Sequence, residues 1–439
     1  MFKSFILIFS SIFSLSALAA SEPTYCKNIV EETCGTASEL DYFSAKLMTE
    51  TAAYLNRCLV NSPQRLKLPP RWAMESSPSG RALLAALKKG STQPFSLQDM
   101  YEYDQAYVWN RVTEREVQSI VSEILPLMKS SEALLIDSQT LHEFVAGVKS
   151  DLKTAIELRG DVSNELKSVL FTKIEQTKLV LPSEYLTEKA NQPGELLNAY
   201  RGYYSACQNN GQGMNAFNDG EFRVVLCPGL FVAAQVNAKI KRKNLIDSVI
   251  LPRDENPRSE TSRMRLPEIS AIADCSSETD LMSLYTIVAH ELGHSIDGGM
   301  SVIGDELDVG TELSELWTCQ QKQYPAVRSS DFGILENFQA LIGRNREMTA
   351  DFWAAQTLSV RLNQTELPHY TRDGFMREMK SNMGIFCTKA FEKGSKIEFQ
   401  AESSGHLHGT KRIEAFLDQS PELSRSLGCV SRGQSACHL

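Results

Sequence analysis

The sequence predicts a mainly α-helical protein with a small β component, folded as two lobes. Three observations lead there. Apolar residues recur at a helical period through most of the chain from Glu39 to Tyr204. A single β-branched run, Phe222 to Cys227, is closed by Pro228-Gly229 and reads as a strand. The chain beyond its leader has about 420 residues, more than one hydrophobic core ordinarily serves.

Residues 1–20 carry Lys3, the apolar run FILIFSSIFSL and the small-residue exit Ala17-Leu18-Ala19-Ala20, the pattern of a cleavable secretory leader. Its apolar core is short and broken by serines, and no later segment is long and apolar enough to span a bilayer. No stable membrane anchor is therefore expected after cleavage, and the protein is expected in a periplasm or outside the cell. Residues 21–205 form the N-terminal segment and helical lobe. Their clearest helices cover residues 39–60 and 141–160, separated by a proline-rich loop between Ser62 and Gly80 and a helix start at Ser96 with Asp99. The texture changes near Cys207, and residues 206–439 form the second lobe. There the strand is followed by a polar stretch from Leu251 to Asp280 and an apolar helix from Leu281. Further helices are expected from Gly310 to Gln323, Arg344 to Leu362 and Thr371 to Cys387. The region from Glu398 reads as irregular, with a last helix near Pro421 to Leu427.

All ten cysteines lie beyond the leader, and an even number in an exported chain argues for disulfides. No Cys-x-x-Cys pair is present, which excludes a zinc ribbon. A net charge of −9 offers no basic field for nucleic acid or anionic lipid. No internal repeat is found, and nothing in the sequence specifies an oligomeric state.

The chemistry concentrates in His290-Glu291-Leu292-Gly293-His294. Histidines four apart on a helix project from one face, their Cβ atoms roughly 5–6 Å apart, and can hold one zinc ion, while Glu291 is turned to serve as a base for water. The run LMSLYTIVA leads into the first histidine, so a buried helix holds the site, and Gly298-Gly299 suit a helix end opening into a cleft. A catalytic zinc ordinarily takes a third protein ligand, and Glu347, on a predicted helix, is the best candidate. Asp351, one turn further, is placed to accept the free ring N–H of a ligating histidine. His142, His369 and His438 are read as solvated or structural.

His290-Glu-Leu-Gly-His-Ser-Ile-Asp297 followed by Glu347-Met-Thr-Ala-Asp351 resembles the neprilysin and endothelin-converting-enzyme family of zinc endopeptidases, in the gluzincin group. Asn215-Ala216-Phe217 with the strand after it is similar to that family's substrate-aligning segment. His406 and Arg412, ahead of Cys429 and Cys437, match its transition-state histidine and active-site arginine. Cys26-x7-Cys34-Gly35 resembles its opening cysteine pair. The resemblance covers the chain from about Cys207 onward and the first mature residues.

This resemblance implies a two-lobed gluzincin-type peptidase with its cleft between the lobes and one Zn2+ per chain on His290, His294 and Glu347. It implies Glu291 as base, His406 (or its neighbour His408) as donor to the oxyanion, Asn215 with the Ala216 backbone as holders of the peptide, and the strand at 222–227 as an edge strand beside the metal with which a peptide can pair. Asp297 is implied as partner of Arg412, orienting it toward substrate. Implied disulfides are Cys26–Cys429, Cys34–Cys387 and Cys319–Cys437, leaving Cys58, Cys207, Cys227 and Cys275 with three possible pairings. Peptides with a hydrophobic residue after the cleavage site are the implied substrates. The chain departs from the family in a shorter helical lobe, in Phe352-Trp353, and in an Ala436-Cys437-His438-Leu439 end without an aromatic residue. Two alternatives are a zinc-retaining, non-catalytic peptide-binding module and a gluzincin of another family acting on larger proteins.

Overall fold

The computed structural model describes residues 113–203, 206–207, 216–219, 222–228, 230–231, 281–297, 313–324, 334–363, 407, 409–426, 429 and 437. The described part is mainly helical with one small sheet, as the periodicity predicts. The α-helices of the described residues are α1 (Glu114–Leu135), α2 (Ser138–Glu157), α3 (Asn164–Gln176), α4 (Pro182–Ala190), α5 (Leu196–Tyr203), α6 (Tyr285–His294), α7 (Ser314–Gln323), α8 (Ile334–Asn363), α9 (Gly409–Asp418) and α10 (Pro421–Ser426). The strands are β1 (Lys178–Val180), β2 (Ala216–Asn218) and β3 (Arg223–Leu226).

Local chemistry sets the helix starts. The Asp137 carboxylate accepts from the Thr140 N–H at 2.8 Å and caps α2, and the Ser163 hydroxyl caps α3 through the Leu166 N–H at 3.1 Å. Helix α4 begins with Pro182, whose missing N–H costs nothing there, and the buried Glu132 of α1 reaches across to the Ser183 N–H at 2.9 Å. Burial pushes the Glu132 carboxyl above its ordinary pKa, against the opposing hydrogen bonds from Ser183.

The strand order is β1-β3-β2, β1 parallel and β2 antiparallel to β3. Alternation along the strands divides two cores. Leu179, Ala216, Val224 and Leu226 face one core, shared with α2, α3, α6, α8 and α9; Val180, Phe217, Val225 and Cys227 face the other, shared with α1, α4 and α5. Leu179 and Val224 belong to one core and are register partners, although they lie on either side of the expected boundary at residue 205. Helices α2 and α3, from the region before residue 205, contribute to the same core as α6.

Three expectations about elements need correction. The strand at 222–227 was expected at a sheet edge, but β3 is central, because the three residues Lys178–Val180, too short to interrupt a helical pattern, pair along its other side. Among the described residues, β2 is the edge strand nearer the histidine helix. Second, the region after Glu398 contains α9, whose Ile413, Phe416 and Leu417 recur at helical spacing and are buried. Third, α8 is longer than predicted, beginning at Ile334. Helices α2, α7 and α10 match the expected positions closely. The helices expected at 39–60 and 371–387 and the Ser96 helix start lie outside the described residues.

Two disulfides are described. Cys319–Cys437 is one of the three bonds implied by the resemblance, and Cys207–Cys227 selects one pair from the four cysteines left open. Cys429 is also disulfide-bonded, whereas Cys26, Cys34, Cys58, Cys275 and Cys387 lie outside the described residues. No helix among the described residues is long and apolar enough to cross a membrane.

Candidate metal centre

Helix α6 carries both motif histidines because its sequence buries it nearly all round. Leu284, Val288, Ala289 and Leu292 are core residues, and Tyr285 anchors the first turn by donating its hydroxyl to the buried Asp151 of α2 at 2.8 Å. Gly293 lets α6 lie directly on α8. A Cβ built there would come 2.8 Å from the Ala350 Cα and 2.9 Å from its carbonyl oxygen. Ala350 lies between Glu347 and Asp351, so this close approach brings both carboxylates to the histidines.

His290 Nε2 lies 3.2 Å and His294 Nε2 3.4 Å from the same atom, Glu347 Oε2. The two rings are 4.7 Å apart at 82°. One ligand atom from each of His290, His294 and Glu347 lies within 4.8 Å of the others. Each histidine turns its other nitrogen to an aspartate. His290 Nδ1 meets Asp351 Oδ1 at 2.8 Å, and His294 Nδ1 meets Asp297 Oδ2 at 2.8 Å. In a neutral ring, Nδ1–H donated to a carboxylate leaves the lone pair on Nε2. Three electron-rich atoms then face one another, an arrangement that could hold a metal ion.

The carboxylates of Glu291, Glu347, Asp351 and Asp297 surround the two histidines, with Arg412 beside His290 and Arg346 beside Asp297. Burial acts most strongly on His290 and opposes protonation, but the Asp351 charge and the hydrogen bonds to Asp351 and Glu347 outweigh it and raise its pKa. For His294 burial is again the largest influence, and Glu347, Asp297 and Glu291 together raise the pKa well above the usual value. Burial would raise Asp351, yet Arg412 and His290 bring its carboxyl down to about 2.

The expected pairing of Asp297 with Arg412 is not found. Arg412 grips Asp351 with two hydrogen bonds, Nε to Oδ2 at 2.7 Å and Nη2 to Oδ1 at 2.8 Å, and its Nη2 lies 3.3 Å from His290 Nδ1. Asp297 instead accepts from His294 Nδ1 and, at 3.1 Å, from Arg346 Nε. The cause is local. Helix α6 ends in three-residue hydrogen bonds, Ser295 N–H to Leu292 and Ile296 N–H to Gly293, which fold Asp297 back beside His294, whereas α9 delivers Arg412 to the His290 side.

Glu291 is buried on the same helix. Ala216 lies in β2, and its neighbour Asn218 ties that strand to α6 by donating from Nδ2 to Ser295 Oγ at 2.9 Å and to the Glu291 carbonyl at 3.3 Å. Asn215, His406, His408 and the Gly298-Gly299 pair lie outside the described residues. Sequence reasoning missed Arg346 and Asn218. Arg346 sits beside the predicted ligand Glu347, but its partner Asp297 comes from the segment that follows another helix; Asn218 carries no motif. No protein-family model matches the chain, and comparison with curated proteins and with solved structures returns no match.

Proposed function

We propose that this protein is an exported zinc-dependent endopeptidase, of the neprilysin-like gluzincin kind that its motifs resemble, built as two lobes around a cleft. The convergence of His290, His294 and Glu347 from two helices carries the reading. Zinc held by these three side chains would act as a Lewis acid toward the scissile carbonyl and lower the pKa of water.

The chain's own groups supply the rest. The Glu291 carboxylate accepts a proton from the attacking water and returns it to the leaving amine. Asp351 and Asp297 fix the histidine tautomers by accepting their Nδ1–H groups. Arg412, held by Asp351, presents positive charge beside His290 toward the substrate backbone. The resemblance gives His406 the role of oxyanion donor and assigns Asn215 and Ala216 to hold the peptide, for which the edge position of β2 is suitable. Hydrophobic residues after the cleavage site are the preferred substrates in this reading. The leader sequence and the disulfides support export.

Zinc analysis and cleavage-site profiling of a peptide mixture test the proposal. The purified chain should hold about one zinc and cleave in a chelator-sensitive way. Glu291→Gln should retain the metal and lose about 10²–10⁴ in turnover. Undiminished cleavage by that variant would refute the assigned base.

A further inference from the structure

Each motif histidine ends a chain of three residues. Arg412 holds Asp351, which holds His290; Arg346 holds Asp297, which holds His294. The first chain is buried and doubly hydrogen-bonded. The second is different in kind, because Arg346 uses only Nε, its side chain is 35% exposed, and it immediately precedes Glu347 on α8.

We propose that Arg346 is a positioning residue that sets the orientation of His294 through Asp297. This rests on the metal-site reading above. Asp297 Oδ2 receives both the His294 N–H and the Arg346 N–H, so the guanidinium fixes where that oxygen lies and hence the angle at which the imidazole presents Nε2. Asp297 follows the last turn of α6, beyond the helix's regular hydrogen bonds, and Arg346 ties it to the helix that carries Glu347. One side chain thereby references His294 to the third ligand's own helix. A solvated surface arginine would do none of this.

The test measures zinc affinity of the full chain by competition with a chelator, together with the visible absorption of the cobalt-substituted protein. Arg346→Ala should weaken zinc about ten-fold and alter the cobalt spectrum, while Arg346→Lys recovers part of the loss. Arg425→Ala, an exposed arginine on α10, should change neither. Because Arg346 acts through Asp297, the Arg346→Ala/Asp297→Asn double variant should bind zinc no more weakly than Asp297→Asn alone. Losses that add in full, or an Arg346→Ala affinity within two-fold of the parent, overturn the proposal. A parent chain that takes up no zinc overturns the metal-site reading instead. In that event thermal unfolding of the metal-free single and double variants still decides whether the pair is coupled, and zero coupling overturns the Arg346 assignment separately.

Discussion

Asp351 sits between Arg412 and His290, and its removal affects both. Asp351→Asn leaves Arg412 buried without its carboxylate, a loss of about 3–5 kcal/mol for a broken buried pair. It also frees the His290 ring, so zinc affinity should fall about ten- to a hundred-fold in the competition measurement. The titration has a definite sign. The folded carboxyl titrates at about 2 against 3.8 for the unperturbed group, so it binds its proton more weakly in the fold. Its contribution to stability is present above pH 3.8 and is lost as pH falls through about 2, amounting to about 2 kcal/mol. In metal-free protein, urea unfolding between those pH values should show the parent losing stability more steeply than Asp351→Asn; parallel curves would refute the assignment. At this scale the sequence was informative where one helix fixes the spacing. His290 with His294, and Glu347 with Asp351, share a face by helical geometry alone. Which arginine meets which aspartate depends on how α9 and the end of α6 approach, and no spacing within either segment encodes that.

Among elements, the contact of α6 with α8 controls the site. Gly293→Ala would drive a methyl group into the Ala350 backbone, which cannot yield as a flexible side chain could. The helices must separate, at a cost of about 1–3 kcal/mol from overpacking, and Glu347 Oε2 must move away from both imidazoles. Reduced zinc affinity with an unfolding temperature only partly lowered is the expected outcome. Gly147 makes the opposite case. It lies on the exposed face of α2 with nothing within 4 Å of a built Cβ, so Gly147→Ala should stabilise the fold by about 0.5–1 kcal/mol in the same unfolding assay. The long amphipathic helices were legible because their apolar period repeats over several turns. Strand β1 was not, since three residues between the end of α3 and Pro182 establish no period, and its existence is dictated by the partner it finds in β3. Helix α9 could have been read from Ile413, Phe416 and Leu417, but the glycine, serine and charge around those residues obscured it.

For the molecule as a whole, the Cys319–Cys437 bond spans 118 residues and holds the last described residue to α7. Replacing both cysteines by serine should cost about 2–5 kcal/mol, chiefly by releasing the unfolded chain, and should be seen as a lower urea midpoint without loss of helical content. The bond was implied by resemblance, whereas Cys207–Cys227 required knowing that α5 and β3 border the same core. The sheet that separates the two cores has a consequence for the newly made chain. β3 joins partners that both precede it in sequence, so a chain still lacking residues 223–226 has no strand with which Leu179 and Val180 can align. Such an incomplete polypeptide carries apolar edges without a mate, and self-association competes with productive collapse until the later half arrives.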